Sequence, residues 1–317
     1  MGKKLYIGID LGGTNIAAGL VNEEGKVLGK VSIPTNAELG EKAVVEAIHK
    51  SCDLLEKETG FDRSELKSIG IGVPGMMDPN TRVVIFCPNL PIEHVDIATG
   101  LSEKWGVPVH LNNDANCAAL GEAYAGGAKD TDTAIFITLG TGVGGGIIIN
   151  KKIYSGFNGA AGEVGHIVIN LDGRQCGCGR KGCWEAYASA TGLIKSTREY
   201  MQEHPETLMW ELVEGDLAKV SGRTAFDAAK KGDEGGKIVV DQYIKYVAAG
   251  VIDLINIFQP EVMCIGGGIS NEGDYLLKPL QKLVDEARYT RDVPQTIIKR
   301  AELGNDAGIV GAAMLGV

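Results

Sequence analysis

Ile9-Asp10-Leu11-Gly12-Gly13-Thr14 returns 128 residues later as Ile137-Thr138-Leu139-Gly140-Thr141-Gly142. At the same offset, and without a gap, Leu20-Val21-Asn22 falls over Ile148-Ile149-Asn150. Each copy reads as a strand, a tight glycine turn, a second strand, a polar turn and a third strand. The strands cover residues 6–10, 16–22 and 27–33 in the first copy and 134–139, 145–150 and 152–154 in the second. A period this long belongs to no solenoid. It indicates two related domains, each offering a β-hairpin turn rich in backbone amides, since glycine takes φ > 0 and lets backbone approach a ligand closely. Chance alignment is the alternative in a chain with 45 glycines. The shared strand pattern around the turns argues against it.

Helix and strand periods fill the rest. Residues 41–59 read as an amphipathic helix with Val44, Val45, Ile48, Cys52 and Leu55 on one face. Residues 69–73 form an apolar strand ending at Pro74-Gly75, and 109–112 another, followed by a helix at 114–124. Further helices at 191–201, 224–231, 234–258, 275–287 and 306–315 are interrupted by strands at 262–265 and 295–300. Such alternation indicates an α/β protein with mixed sheets. A third glycine cluster, Gly266-Gly267-Gly268, follows strand 262–265.

Glu163-Val-Gly-His166 and Cys176-Gly-Cys178-Gly-Arg-Lys-Gly-Cys183-Trp-Glu185 bring one imidazole, three thiols and two carboxylates into a short segment. His with three Cys is a standard tetrahedral donor set for zinc. Filled by His166, Cys176, Cys178 and Cys183, the ion has no open position for water, so it would be structural and would fix the loops carrying Glu163, His166 and Glu185. The alternatives are three unrelated thiols beside a stray histidine, or a Cys176–Cys178 disulfide, which would be strained across so short a gap. An odd total of seven cysteines points to a reducing compartment rather than a disulfide framework.

With 317 residues the chain can build two domains with substantial cores. No apolar run approaches the roughly 20 residues that span a bilayer, and the amino terminus lacks the basic-then-apolar layout of a signal peptide. The expected location is cytoplasmic, with no membrane partner. A formal net charge of −10 argues against nucleic-acid binding, which depends on clustered Lys and Arg. It leaves room for an anionic ligand held locally by helix N-termini and backbone amides.

Two glycine hairpins in duplicated α/β halves resemble the superfamily that joins sugar kinases, heat-shock ATPases and actin. Three signatures narrow the resemblance to the ROK family of bacterial sugar kinases and sugar-responsive repressors. They are Asp10-Leu-Gly-Gly-Thr-Asn15, Asn113-Asp-Ala-Asn-Cys-Ala-Ala-Leu-Gly-Glu122, and the cluster from Glu163 to Glu185. The similarity runs from about residue 5 to the final Gly311-Ala-Ala-Met-Leu315, and the overall pattern looks like that of the family's bacterial glucokinases. The resemblance implies a duplicated actin-like or hexokinase-like ATPase fold: two α/β domains with mixed sheets flanked by helices, and an interdomain cleft. Residues 1–112, with about 302–317 returning to them, would form a small domain carrying the first phosphate hairpin. Residues 113–301 would form a large domain with the second hairpin, the zinc site and the adenosine-side glycines. A hinge is expected near 110–114.

The same resemblance implies ATP-dependent phosphorylation of the primary hydroxyl of a hexose, glucose to glucose 6-phosphate above all, with ATP, Mg²⁺ and a structural Zn²⁺. Asp114, at a strand-to-helix junction, would accept the proton of the attacking hydroxyl as general base; read locally, the alternative is a simple helix N-cap. Asp10 would accept from the Mg²⁺ hydration shell, with Gly12, Gly13, Thr14 and Asn15 turning amides toward phosphate. Gly140, Thr141 and Gly142 would hold the β- and γ-phosphates, and Gly266, Gly267 and Gly268 would border the adenosine. Asn113, Glu163, His166 and Glu185 match the family's sugar-binding set, with Gly75 and Asn89 on the cleft wall. His166 would give one ring nitrogen to zinc and the other to a sugar hydroxyl. Cys52, Cys87, Cys117 and Cys264 read as buried thiols. A homodimer is expected. Three rivals share parts of this pattern. A kinase for an N-acyl amino sugar such as N-acetylmannosamine would use the same catalytic residues. A non-catalytic ROK repressor needs a helix-turn-helix ahead of the first hairpin, where the sequence leaves little room. An actin-like or chaperone ATPase should lack both the zinc box and Asn113-Asp114.

Overall fold

The computed structural model describes residues 3–78, 81–287 and 289–317. The first copy of the repeat builds an antiparallel meander of β1 (Leu5–Leu11), β2 (Asn15–Asn22) and β3 (Val27–Pro34). β1 is buried along almost its whole length, as a strand covered on both faces must be. β3 alternates half-buried with exposed residues and forms the sheet's edge. The helix α1 (Glu41–Thr59) spans the range its periodicity predicts, buries Val44, Ile48, Cys52 and Leu55, and stops at Gly60 in the left-handed region (φ 61). Next come β4 (Leu66–Val73), the short strands β5 (Met76–Met77), β6 (Val83–Phe86) and β7 (Glu93–Asp96), helix α2 (Thr99–Trp105), and β8 (Val109–Asn113). β4 runs parallel to β1, and β8 parallel to β4, giving a sheet of order β3-β2-β1-β4-β8. β5, β6 and β7 pair separately as a small sheet. Helix α3 (Asp114–Ala125) follows β8.

The second copy repeats the plan with β9 (Thr133–Leu139), β10 (Val143–Ile149) and β11 (Lys152–Ile153). After the His/Cys segment come α4 (Glu185–Ala188), α5 (Ala190–Glu203), α6 (Met209–Leu212), α7 (Thr224–Lys230) and α8 (Glu234–Phe258). The chain then runs through β12 (Val262–Gly266), α9 (Asp274–Ala287), β13 (Ile297–Arg300) and α10 (Ala307–Met314). The second sheet has the order β11-β10-β9-β12-β13, which matches the first strand for strand. The offset in the sequence is therefore a duplicated sheet. The small sheet and helices α2, α4 and α6 escape a periodicity reading because two to seven residues supply too few repeats.

Contacts divide the chain into two compact units. The first holds residues up to Phe136, Gly146–Gly162 and Ala301–Val317; the second holds Ile137–Gly145 and Glu163–Arg300. The expected boundary after residue 112 differs from this, because α3 and the chain through Phe136 belong to the first unit. The reason is α10, all eight of whose residues are buried. A Cβ at Gly311 would overlap the Cys117 carbonyl of α3, and one at Gly70 would overlap the Ala312 carbonyl, so helix and sheet meet backbone to backbone. Glu122, fully buried on α3, fastens the segment ahead of α10. Its carboxylate accepts from the N–H groups of Gly127 (2.8 Å), Glu302 (3.0 Å) and Leu303 (2.8 Å). Among the described residues, no helix is long and apolar enough to cross a membrane.

Candidate active site and metal centre

In the first unit, Asp10 lies near the end of β1 and Asp114 opens α3, directly after β8. Burial first, and the charge of Asp114 second, push the Asp10 carboxyl up to about 6. Asn113, rather than Asp114, caps α3. Its Oδ1 accepts from the N–H groups of Ala115 (2.9 Å) and Asn116 (3.3 Å). Asp114 stands one residue inside the cap, with Oδ1 accepting from the Ala115 N–H at 2.9 Å. Capping occupies Oδ1 of Asn113, and its Nδ2 lies 3.4 Å from the Gly75 carbonyl. Asn112 Oδ1 accepts from the Asn113 N–H (2.9 Å) and from Asn116 Nδ2 (3.1 Å), a local amide chain that holds the junction.

Other predicted residues gather near this pair. Gly75 packs against Phe86 and Cys87 so closely that a Cβ would overlap both. The Cys87 thiol is pushed up to about 11, by burial and then by the Asp114 charge, and Cys117 is raised by burial with Asp10 and Asp114 adding. A Cβ at Gly13 would stand 3.9 Å from the Asn89 carbonyl. The first glycine turn is closed by the Gly12 N–H donating to the Asn15 carbonyl at 3.0 Å. From the end of β3, Thr35 Oγ1 donates to the Gly12 carbonyl (2.7 Å), and the Thr35 N–H to the Thr14 carbonyl (2.9 Å).

The second unit brings His166, Cys176, Cys178 and Cys183 together, with one donor atom from each inside a mutual 4.8 Å. His166 Nδ1 lies 3.7 Å from Cys176 Sγ, and Cys178 Sγ 3.6 Å from Cys183 Sγ. A zinc tetrahedron with thiolate arms of about 2.3 Å has edges of about 3.8 Å, so the donor set fits that ion. A disulfide would need sulfurs about 2.05 Å apart, and all seven cysteines are free. The loop's shape depends on Gly182 (φ 74), where a Cβ would overlap the Asn170 carbonyl. Trp184, fully buried, anchors it by lying on Gly250 of α8 and donating Nε1 to the Tyr246 carbonyl at 2.7 Å.

Glu163 is exposed and Glu185 half-buried at the start of α4. Glu185 Oε2 accepts from the Val143 N–H (3.0 Å), while Oε1 lies 3.8 Å from Cys176 Sγ. Glu185 thus joins the Cys/His cluster to the second glycine turn. In that turn the Gly140 N–H donates to the Gly142 carbonyl at 3.1 Å. The Gly140 carbonyl accepts from the Ala190 N–H and the Thr141 carbonyl from Thr191 Oγ1, each at 2.8 Å. Gly267 (φ 80) presses on the backbone of Leu139, which sets Gly266, Gly267 and Gly268 beside the end of β9. A cavity lined by Thr141, Cys176, Glu185, Ser189, Thr191 and Lys195 opens along this face of the unit.

The ROK family pattern matches residues 6–316. The chain belongs to the ROK family. The glucokinase of Thermotoga maritima is 38% identical over 316 residues, spanning 99% of this chain and 98% of that one. The glucokinase of Streptomyces coelicolor is 39% identical over 324 aligned positions, spanning 98% and 97%. The crystal structure of a ROK family glucokinase from Streptomyces griseus, in complex with glucose and AMPPNP, matches with a TM-score of 0.80 at 37% identity, covering 98% of each chain. The duplicated sheets of this ROK protein are those of the actin-like, hexokinase-like ATPase fold.

Four residues with clear geometry in this ROK chain went unmarked in its sequence. Thr35 and Thr191 bind the glycine turns, although an isolated threonine after a strand or at a helix start carries no signal. Glu122 and Asn116 sit inside the Asn113-to-Glu122 signature. Asn116 and Glu122, three and nine residues beyond Asn113, fall inside the stretch that reads as a helix, which placed them on α3 but did not disclose their partners.

Proposed function

We propose that this ROK chain is an ATP-dependent hexose kinase that phosphorylates the primary hydroxyl of glucose, with Asp114 as general base. The observation that carries the reading is the division of labour at the head of α3. Asn113 takes the capping role, which leaves Asp114 as a carboxylate whose charge reaches Asp10. In the proposed reaction Asp114 receives the proton of the sugar hydroxyl while that oxygen bonds to the γ-phosphorus. The phosphorus–oxygen bond to ADP breaks, and the proton passes on to solvent. Because the transition state is loose, Asp114 contributes chiefly by aiming the hydroxyl. Asn113, through Nδ2, and Glu163, His166 and Glu185 bind the ring hydroxyls, with Gly75 and Asn89 beside Asn113 and Gly13. Gly13, Thr14 and Asn15, with Thr141 and Gly142, hold phosphates through their amides, while the N–H groups of Gly12 and Gly140, expected in the same role, close the two turns instead; Gly266, Gly267 and Gly268 border the adenosine. Mg²⁺, reached by Asp10 through its water shell, would neutralise charge on the β- and γ-phosphate oxygens. His166, Cys176, Cys178 and Cys183 would hold a structural Zn²⁺, and the odd count of seven cysteines supports a reducing, cytoplasmic setting.

The test is a coupled ADP-release assay across glucose, other hexoses and N-acetylmannosamine. Glucose should give the highest kcat/KM, and Asp114→Asn should lower kcat about 10²- to 10⁴-fold with an unchanged circular dichroism spectrum. Near-normal turnover by that variant would remove Asp114 from its role. A folded, zinc-loaded protein that turns over no sugar would be a sensor instead.

A further inference from the structure

We propose that Thr35 and Thr191 are matched positioning residues, each aiming one glycine turn at the nucleotide's phosphates; the proposal rests on the kinase reading above. The backbone of a turn can grip phosphate only through its N–H groups, so its carbonyls must be held elsewhere. In a planar trans peptide the C=O of one residue points opposite to the N–H of the next. Fixing a carbonyl therefore aims the following amide. In the first turn, Thr35 Oγ1 holds the Gly12 carbonyl and so directs the Gly13 N–H. The Thr35 N–H holds the Thr14 carbonyl and directs the Asn15 N–H. In the second turn, Thr191 Oγ1 holds the Thr141 carbonyl and directs the Gly142 N–H. The Ala190 N–H holds the Gly140 carbonyl and directs the Thr141 N–H.

Each turn thus has one hydroxyl clamp and one backbone clamp, supplied by a segment outside the hairpin itself. The two clamps have different origins. Thr35 is fully buried just past β3, whereas Thr191 is exposed in the first turn of α5. The 128-residue repeat does not relate them, since residue 163 is the counterpart of Thr35 and is a glutamate. The same geometric need has been met twice by different parts of the chain.

Isothermal titration of the full chain with Mg·AMPPNP and, separately, with glucose tests the proposal. Thr35→Val and Thr191→Val keep side-chain volume and lose the donor. Each should weaken AMPPNP binding about three- to tenfold, the worth of one hydrogen bond, with glucose affinity unchanged. The KM for ATP should rise in parallel, and Thr35→Ser and Thr191→Ser should restore both values. Valine variants that bind AMPPNP like the parent sink the inference, as does equal weakening of both ligands with a lowered Tm, which marks a merely structural role. Thr191→Val carries the test if the buried Thr35→Val fails to fold. Parent protein that binds no AMPPNP would overturn the kinase reading itself, and the inference with it; insensitive variants of a protein that does bind it overturn the inference alone.

Discussion

At Asp10, folding and the proposed role in holding magnesium pull in opposite directions. Its carboxyl is raised from 3.8 to about 6, first by burial and then by the Asp114 charge. A raised folded-state value means the folded chain holds a proton that the unfolded chain releases between those two pH values. Its contribution to stability is fully present below 3.8 and is lost as pH rises through 6. At pH 7.5 both states are ionised, and the rise from 3.8 to about 6 costs about 3 kcal/mol. Asp10→Asn removes that charge. In urea, without magnesium or nucleotide, the variant should exceed the parent in stability at pH 7.5 by up to that amount. The difference should shrink to about half by pH 5, and a difference that grows toward low pH would contradict the assignment. If Asp10 holds magnesium as proposed, catalysis should suffer in the same variant, since a neutral amide attracts the cation's water shell far less than a carboxylate does.

Among the elements, α3 and α10 carry the first unit. They meet through Gly311 at backbone distance, and the Glu122 carboxylate clasps the segment ahead of α10. Glu122→Ala leaves the buried Gly127 N–H and the part-buried N–H groups of Glu302 and Leu303 without their acceptor and should cost about 2 kcal/mol. Glu122→Gln keeps one oxygen and should fall between, so thermal melts should rank parent, glutamine, alanine. Long elements were readable from the chain: α1 and α8 carry enough turns for their apolar faces to repeat, and both lie at 41–59 and 234–258 as periodicity predicts. The closing helix was legible but begins later, because residues 304–306 form a separate 3-10 turn before α10. Four-residue helices such as α4 owe their place to the residues that grip them, as Glu185 does through Val143.

For the whole molecule, the fold places the His166/Cys176/Cys178/Cys183 cluster in one unit and the Asp10–Asp114 pair in the other. About one zinc per chain should be found by metal analysis, as four donors for one ion require. Stripping it with a chelator should speed hydrogen exchange across residues 163–192 and in the 137–145 turn, to which Glu185, Ala190 and Thr191 are bonded. Amides of β1, β4 and α10 should keep their protection, and uniform loss in both units would refute a local role for the metal. The sequence by itself determined the duplication, the glycine turns and the Cys/His donor set. Those depend on which residue types recur at which spacing, and spacing is a local property of the chain. Only the tertiary structure decided that Asn113 caps α3 in place of Asp114, that α3 sides with α10, and that Thr35 and Thr191 hold the turns. Each of those outcomes turns on which donor reaches which acceptor once the chain is folded, and for the clamps and the helix pair the partners are tens to hundreds of residues apart, where no repeat or motif links them.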